Sequence, residues 1–400
     1  MKIVMSFAIM IACTMCLVVR VAAQEGAQAD ESKNVIVGVT VGAEFTDNRD
    51  GLSTNKNASF NVAVAPSFEL RGRPLRWALE LIYAPSILWR SNPRDIEDGN
   101  PQNDTDLYHN LSTRAEYKVD DRSGVRVGDR FSTTDDPDVQ SGGTTVREDL
   151  SYIYNQVYVE GDMFVSRSIG FGLTSHNTIK RYLEDVVANT SDEDTTDAAL
   201  SLMADIGNQM FVLAKGTFSD FENASTNSAT ERGAQTMTYS LGFKKVFTPS
   251  TYGLVEGGIQ SAEYDNALLT TDDSLYANLQ FVIREQEYRF TGFAGYGIFQ
   301  PYVRPYSSQK RTFVGINGER TIAEVLTFNV GIQYSNGRYD EVSAGNPAGD
   351  DNLFLISARS SYKINRHLAV EVGYQFENWE SDLREPFDRN TISVAVKAQL

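Results

Sequence analysis

The feature that most constrains this chain is an alternation of apolar and polar residues sustained over unusually long segments. Val35, Val37, Val39, Val41, Ala43 and Phe45 are interleaved with Ile36, Gly38, Thr40, Gly42, Glu44 and Thr46. A period of two places each set on its own face of an extended strand. The pattern recurs with Ala58, Phe60, Val62, Val64, Pro66, Phe68 and Leu70, and again from Leu75 to Trp89. No long segment shows the three-four spacing of an amphipathic helix. These strands outrun the five or six residues usual in soluble sheets. They fit the roughly 9–11 tilted residues that cross a bilayer. Trp77 and Trp89 stand near opposite ends of the third strand, as the aromatic girdles flanking an apolar band about 25 Å tall require.

The alternation predicts further strands over 106–118, 124–133, 150–161, 168–180, 196–206, 209–221, 235–246, 251–264, 274–284, 288–299, 311–321, 325–335, 352–363, 368–377 and 390–400. The total is about eighteen, within a range of 16–20. Apolar residues fall on both faces of 196–206 and 209–221. Connections alternate between short turns, as at Gly72-Arg73-Pro74 and Gly207-Asn208, and long polar loops such as 91–105, 134–149 and 182–195. Outer-membrane barrels put short turns in the periplasm and long loops outside, so an even strand count leaves both termini periplasmic.

A soluble sandwich or propeller also alternates. Here, however, the polar face carries Arg, Lys and Glu on strand after strand, while the other face is large, apolar and aromatic at its ends. Lipid outside and water inside suit both faces at once. An open sheet is excluded from a bilayer, because every backbone N–H and C=O must pair internally. The expected fold is therefore all-β, a transmembrane antiparallel up-and-down β-barrel over 34–400. Its last strand should put Ile392, Val394, Val396, Ala398 and Leu400 toward lipid and close against Val35–Phe45. Pro66 and Pro85 interrupt otherwise clean strands, and a missing N–H is tolerated best at a bulge or rim.

Before the barrel, Lys2, the apolar run Ile3–Val19 and the small residues Val21-Ala22-Ala23 predict a signal peptide over 1–23. A short polar segment, 24–33, follows. Both cysteines, Cys13 and Cys16, fall in the leader, so the exported chain would carry no thiol. Its removal shifts the formal charge from −17 to about −19, since Lys2 and Arg20 are lost without any acid. Such an acidic chain is a poor nucleic-acid binder.

Enzymatic chemistry finds little support. The three histidines are His109, His176 and His367. His109 and Ser112 belong to opposite faces of one strand, and His367 follows a short turn. Only His176, with Glu184 and Asp185 in the next loop, could begin a hydrolytic site, and a polar wall residue is the plainer reading. Asp192-Glu193-Asp194 with Asp197, and Asp47-Asn48-Arg49-Asp50-Gly51, resemble cation loops in composition only; the second lacks calcium-hand spacing. No catalytic, cofactor-binding or metal-binding residue is expected. The informative set is the predicted wall: Arg71, Arg76, Glu80, Arg114, Glu116, Lys118, Arg126, Arg130, Arg359, Lys363, Glu371 and Lys397. In a filled core each unpaired charge would cost several kcal/mol; an eighteen-strand barrel is wide enough to hold water instead. The charges either line a selective pore or form ion pairs that only stiffen the wall.

Phe45-Thr46-Asp47-Asn48, Asp106-Leu107-Tyr108-His109-Asn110, Arg130-Phe131-Ser132 and Phe387-Asp388-Arg389-Asn390-Thr391-Ile392 together resemble the putative β-barrel porin 2 family across nearly all the exported chain. The resemblance implies an outer-membrane barrel, in some members tied to exopolysaccharide export, with no agreed catalytic residues. The chain ends in Leu400, where many barrels end in Phe. The expected function is a porin-like channel for small hydrophilic solutes. The alternatives are an exit channel for exopolysaccharide and, third, an outer-membrane hydrolase. The expected partners are outer-membrane lipid and lipopolysaccharide, the barrel-assembly machinery and polysaccharide-export components.

Overall fold

A computed structural model describes residues 33–49, 51, 53–54, 56–72, 76–92, 105–134, 152–183, 192–223, 233–265, 271–299, 301, 306–340 and 347–400. The leader expected over 1–23, the segment 24–32, the acidic stretch at 135–138 and Glu184 with Asp185 lie outside these residues.

The described chain forms one antiparallel sheet of eighteen strands. They are β1 (Lys33–Thr46), β2 (Ser59–Gly72), β3 (Trp77–Tyr83 continued by Ser86–Arg90), β4 (Thr105–Tyr108 continued by Asn110–Lys118), β5 (Gly124–Thr134) and β6 (Tyr152–Phe164). Next come β7 (Ile169–Tyr182), β8 (Glu193–Gly207), β9 (Met210–Asn223), β10 (Ala234–Thr248), β11 (Thr251–Tyr264) and β12 (Asp272–Arg284). The last six are β13 (Tyr288–Phe299), β14 (Gln309–Ile322), β15 (Leu326–Tyr339), β16 (Gly349–Asn365), β17 (Leu368–Ser381) and β18 (Phe387–Gln399). Each pairs with its neighbours in sequence. β18 then returns to β1 in a register running from Gly38 opposite Gln399 to Thr46 opposite Thr391. Beyond that ladder, the Leu400 N–H donates to the Val37 carbonyl at 2.8 Å. The seam is the one predicted, with Val41 opposite Val396 and Ala43 opposite Val394.

The two faces separate as the alternation requires. Val35, Val41, Leu79, Leu200, Leu241, Leu275 and Val394 are exposed on the outer face. No described helix is long and apolar enough to cross a membrane; the crossing is made by strands. Trp77 packs on Tyr117 with ring centroids 4.7 Å apart at the short-turn end, and exposed Trp89 marks the long-loop end. Several strands run further toward the long loops than expected: β8 begins at Glu193 and β18 at Phe387. There the outward positions become Asp194 and Asp388, so hydrophobic alternation stops before backbone pairing does. Among the short turns, Asn208-Gln209 and Ala323-Glu324 hold both central residues at positive φ, the requirement of the primed turns that match strand twist. At the turn 119–123 the Asp120 carboxylate accepts backbone N–H bonds from Arg122 and Ser123, which holds it below the usual carboxylate range.

The prolines sit at neither a bulge nor a rim. On β2 and β3, Phe68 faces Tyr83 and Val64 faces Ile87. The register is thus unchanged across the break, and Pro66 stands opposite Pro85. Across β3 and β4, Tyr83 faces Leu111 and Ser86 faces Tyr108, which brings His109 opposite Pro85. Setting two residues without N–H groups against each other confines the lost bonds to one rung. Ala84 N–H still donates to Asn110 O at 2.8 Å beside it, and His109 exchanges bonds with Thr133.

The two faces make opposite demands on charge. Val394→Arg, near the middle of β18 on the lipid face, should destabilise the barrel by about 2–4 kcal/mol in urea titrations from lipid vesicles. Ser393→Arg, one residue away on the inner face, should cost less than about 1 kcal/mol.

Candidate functional site: the inner wall of the barrel

The inner wall is built from the residues between the lipid-facing ones. All twelve wall residues named from the sequence share the parity opposite to the exposed apolar set. In the short-turn half, a band of alternating charge crosses β2 to β7. Arg71 pairs with Glu69 and lies 3.3 Å from Glu80, and Glu80 faces Arg114 across β3 and β4. Arg114 reaches Glu116 at 2.7 Å, and Arg126 lies 3.7 Å from Glu116 and 2.7 Å from Glu160. His176 Nε2 ends the band, 3.7 Å from Glu160. Adjacent strands thus offer opposite signs at the same level. These side chains remain partly exposed, between 15% and 43% for the pairs around Arg71, Glu80 and Glu116, and water screens them. Pairs in that setting contribute at most about 1 kcal/mol each.

Near the seam, Lys397 pairs with Glu371 at 2.8 Å. Arg359 and Lys363 lie two strands away on β16 and make no ion pair among the described residues. The same holds for Arg76, Lys118 and Arg130. Arg130 instead covers the Tyr158 ring at 5.4 Å. Gly128 makes room for that ring, since a Cβ there would meet Tyr158 atoms at 2.4 Å. The structure therefore pairs Arg71, Glu80, Arg114, Glu116, Arg126, Glu371 and Lys397. The five it leaves without an acid are all cations.

The long-loop half differs in chemistry. Against the β6–β14 wall lies a cavity of about 370 Å³ lined by hydroxyls and amides such as Thr178, Thr195, Thr217, Ser219, Thr236 and Gln260. Tyr154, Phe221, Tyr276 and Phe299 supply aromatic faces to it, and Lys180, Lys215, Arg311, Glu193 and Asp197 supply charge. Ser307 and Ser308, just before β14, also line it, so these two residues lie against the inner wall. Tyr264 and Ser308 hydroxyls are 2.6 Å apart. At the same end, Tyr306, Tyr339, Leu353, Trp379 and Phe387 form a buried cluster on the inner face, with Leu383 packed against it. Arg384 lies 3.5 Å above the Trp379 ring and 3.9 Å from Asp351. At the same end Arg389 donates from Nε to Glu377 at 2.8 Å, while Arg90 pairs with Asp106 and bonds to Tyr108.

The sequence reading missed this half of the wall. Parity would have found Lys180, Lys215 and Arg311, but inward Ala199, Met203, Leu213 and Phe221 blur the alternation in β8 and β9. Glu69 and Glu160 complete the charge band and obey the same parity. Hydrolytic chemistry gains nothing. Among the described residues His176 Nε2 has no hydrogen-bond partner. His109 faces outward, away from Ser112, with Nδ1 2.9 Å from Tyr83 Oη, and His367 Nδ1 contacts Gln399 O at 2.9 Å. Among the described residues no group of three or more His, Cys, Asp or Glu could hold a metal.

A closed eighteen-strand barrel, apolar outside and charged inside, defines a porin-class protein of the outer membrane. The family model described as Putative beta-barrel porin 2 matches residues 35–400, and the chain belongs to that family. Its fold is similar to that of Pseudomonas aeruginosa OpdK crystallised with vanillate, at 10% identity over 92% of this chain and 99% of that chain, with a TM-score of 0.50. An improved structure of Pseudomonas aeruginosa OccK1 (OpdK) gives 10% identity over 94% and 100% of the two chains and a TM-score of 0.50. At this identity the likeness is one of fold. No curated protein matches the sequence.

If the charge band served mainly to stiffen the wall, removing its shared carboxylate would be costly. Screening argues otherwise: Glu116→Gln should lower stability by no more than about 1 kcal/mol in urea titrations.

Proposed function

We propose that the barrel is a porin-like channel that passes small hydrophilic solutes across the outer membrane. The observation that carries this reading is the charge on the inner wall, partly exposed on strand after strand and incompatible with a dry core. Arg71, Arg76, Glu80, Arg114, Glu116, Lys118, Arg126, Arg130, Arg359, Lys363, Glu371 and Lys397 line its pathway. Opposed charges at one level create a transverse field that discriminates among solutes. In this reading both termini are periplasmic, the long loops face outward, and the protein has no catalytic role. Its expected partners are outer-membrane lipid, lipopolysaccharide and the assembly machinery.

Exit of a secreted polysaccharide is the second reading. The aromatic faces and hydroxyl-rich lining of the cavity favour it, because sugar rings stack on aromatics while their hydroxyls bond to Ser, Thr and Gln. Polysaccharide-export components would then be partners. A deletion strain that exports its polysaccharide normally would count against it. For a hydrolase only His176 remains, and His176→Ala should change no function.

Purified protein in planar bilayers should give discrete single-channel conductance; none would remove the channel reading. Glu116→Gln leaves Arg114 and Arg126 without their shared acid, so the reversal potential in a salt gradient should move toward anions. Replacing Leu383 and Arg384 with alanine removes side chains that fill the mouth beside Trp379 and should raise conductance.

A further inference from the structure

Asp129 lies on the wrong face for a solvated carboxylate. It shares parity with exposed Val125 and Val127 on β5 and stands opposite exposed Val157 on β6. It is five residues from either end of Gly124–Thr134. With a rise of about 3.3 Å per residue and a tilt near 40°, this puts it near the middle of an apolar band about 25 Å tall. The other outward-facing acids, lysines and arginines of the described strands, such as Arg181, Asp194, Asp220, Lys245 and Arg320, lie within three residues of a strand end. Those positions reach the head groups, and that of Asp129 does not.

Its only side-chain partner among the described residues is Asn155, whose Nδ2 donates to Oδ1 at 2.6 Å. The remaining acceptor sites face outward, where acyl chains offer no donor. Polar side chains gather around it on the same face: Thr113 directly across β4, and Ser175 on β7 opposite Val159. We propose that this patch on β4–β7 is where a second copy of the chain docks in the membrane, around a two-fold axis along the membrane normal. Two copies inserted in the same orientation present identical groups at identical depth. The Thr113 and Ser175 hydroxyls of one copy therefore reach the level of Asp129 on the other, and both carboxylates leave the lipid. A closed two-fold arrangement is the commonest among homo-oligomers. A partner of another kind would need donors at this same depth, and a second copy has them by construction.

The protein extracted in mild detergent or copolymer nanodiscs should have twice the mass of one chain by light scattering. Asp129→Leu should give single-chain particles that remain heat-modifiable on gels, whereas Asp129→Asn, which keeps hydrogen-bonding capacity, should retain the double mass. The native cysteines are confined to residues 13 and 16, so Thr113→Cys or Ser175→Cys reports contact directly. Oxidation of membranes should link each variant into a band of double mass, while Val314→Cys on β14 and the unsubstituted chain should stay single. Single-chain mass for the native protein overturns the proposal, and so does double mass that survives in Asp129→Leu. It is equally overturned if neither cysteine variant cross-links, or if the linked species contains a different protein.

Discussion

Everything in this structure depends on closure of the hydrogen-bonded sheet between β1 and β18. In hydrocarbon an unpaired N–H or C=O costs several kcal/mol, and a sheet edge exposes a whole row of them. The ladder from Gly38–Gln399 to Thr46–Thr391, extended by Leu400 and Val37, removes both edges together. Closure also decides what a defect may look like. Pro66 and Pro85 each lack a donor, and their placement opposite one another keeps the loss to one rung without shifting the register on either side. Both ladders beyond it stay intact.

Once the sheet closes, it divides solvent into two kinds, and the side chains follow. Outward residues meet lipid and are mostly apolar, with Trp77, Tyr117 and Trp89 near the band's limits. Inward residues meet an interior too wide to fill, so charge is tolerated there at little cost. In the channel reading proposed here, the band running from Glu69 and Arg71 to Glu160 acts as a field across a wet interior rather than as a brace. The five wall cations without an acid among the described residues, Arg359 and Lys363 included, suit that reading, since a dry core would leave them uncompensated.

The interior is uneven along its length. Near the short turns it is charged and partly exposed. Near the long loops it carries the buried cluster of Tyr306, Tyr339, Trp379 and Phe387 and a hydroxyl-lined cavity. Ser307 and Ser308, together with Leu383 and Arg384 beside Trp379, add residues from connections to these strand-borne groups. Asp129 departs from the same division on the outside. The proposed docking of a second copy takes this mid-band carboxylate out of the lipid.

Strand identity, facing and the closing of β18 against β1 were legible from residue order alone, because a period of two and a membrane's thickness leave few alternatives. The lipid-facing set Ile392, Val394 and Val396 and the parity of the twelve wall charges follow from that periodicity. The pairing of Pro66 with Pro85 was not legible, because it depends on the relative register of β2 and β3, which alternation fixes only to within two residues. Nor were the ion pairs from Arg71 to Glu160, since parity gives a residue's face but not its cross-strand neighbour. The cavity under β6–β14 and the aromatic mouth were hidden for a further reason: inward Leu213 and Phe221 blur the pattern, and the loop residues that complete both sites come from segments with no periodicity. Sequence thus determined which side of the wall each residue occupies. Only the closed barrel decided which residues meet, because those contacts join segments distant in the chain.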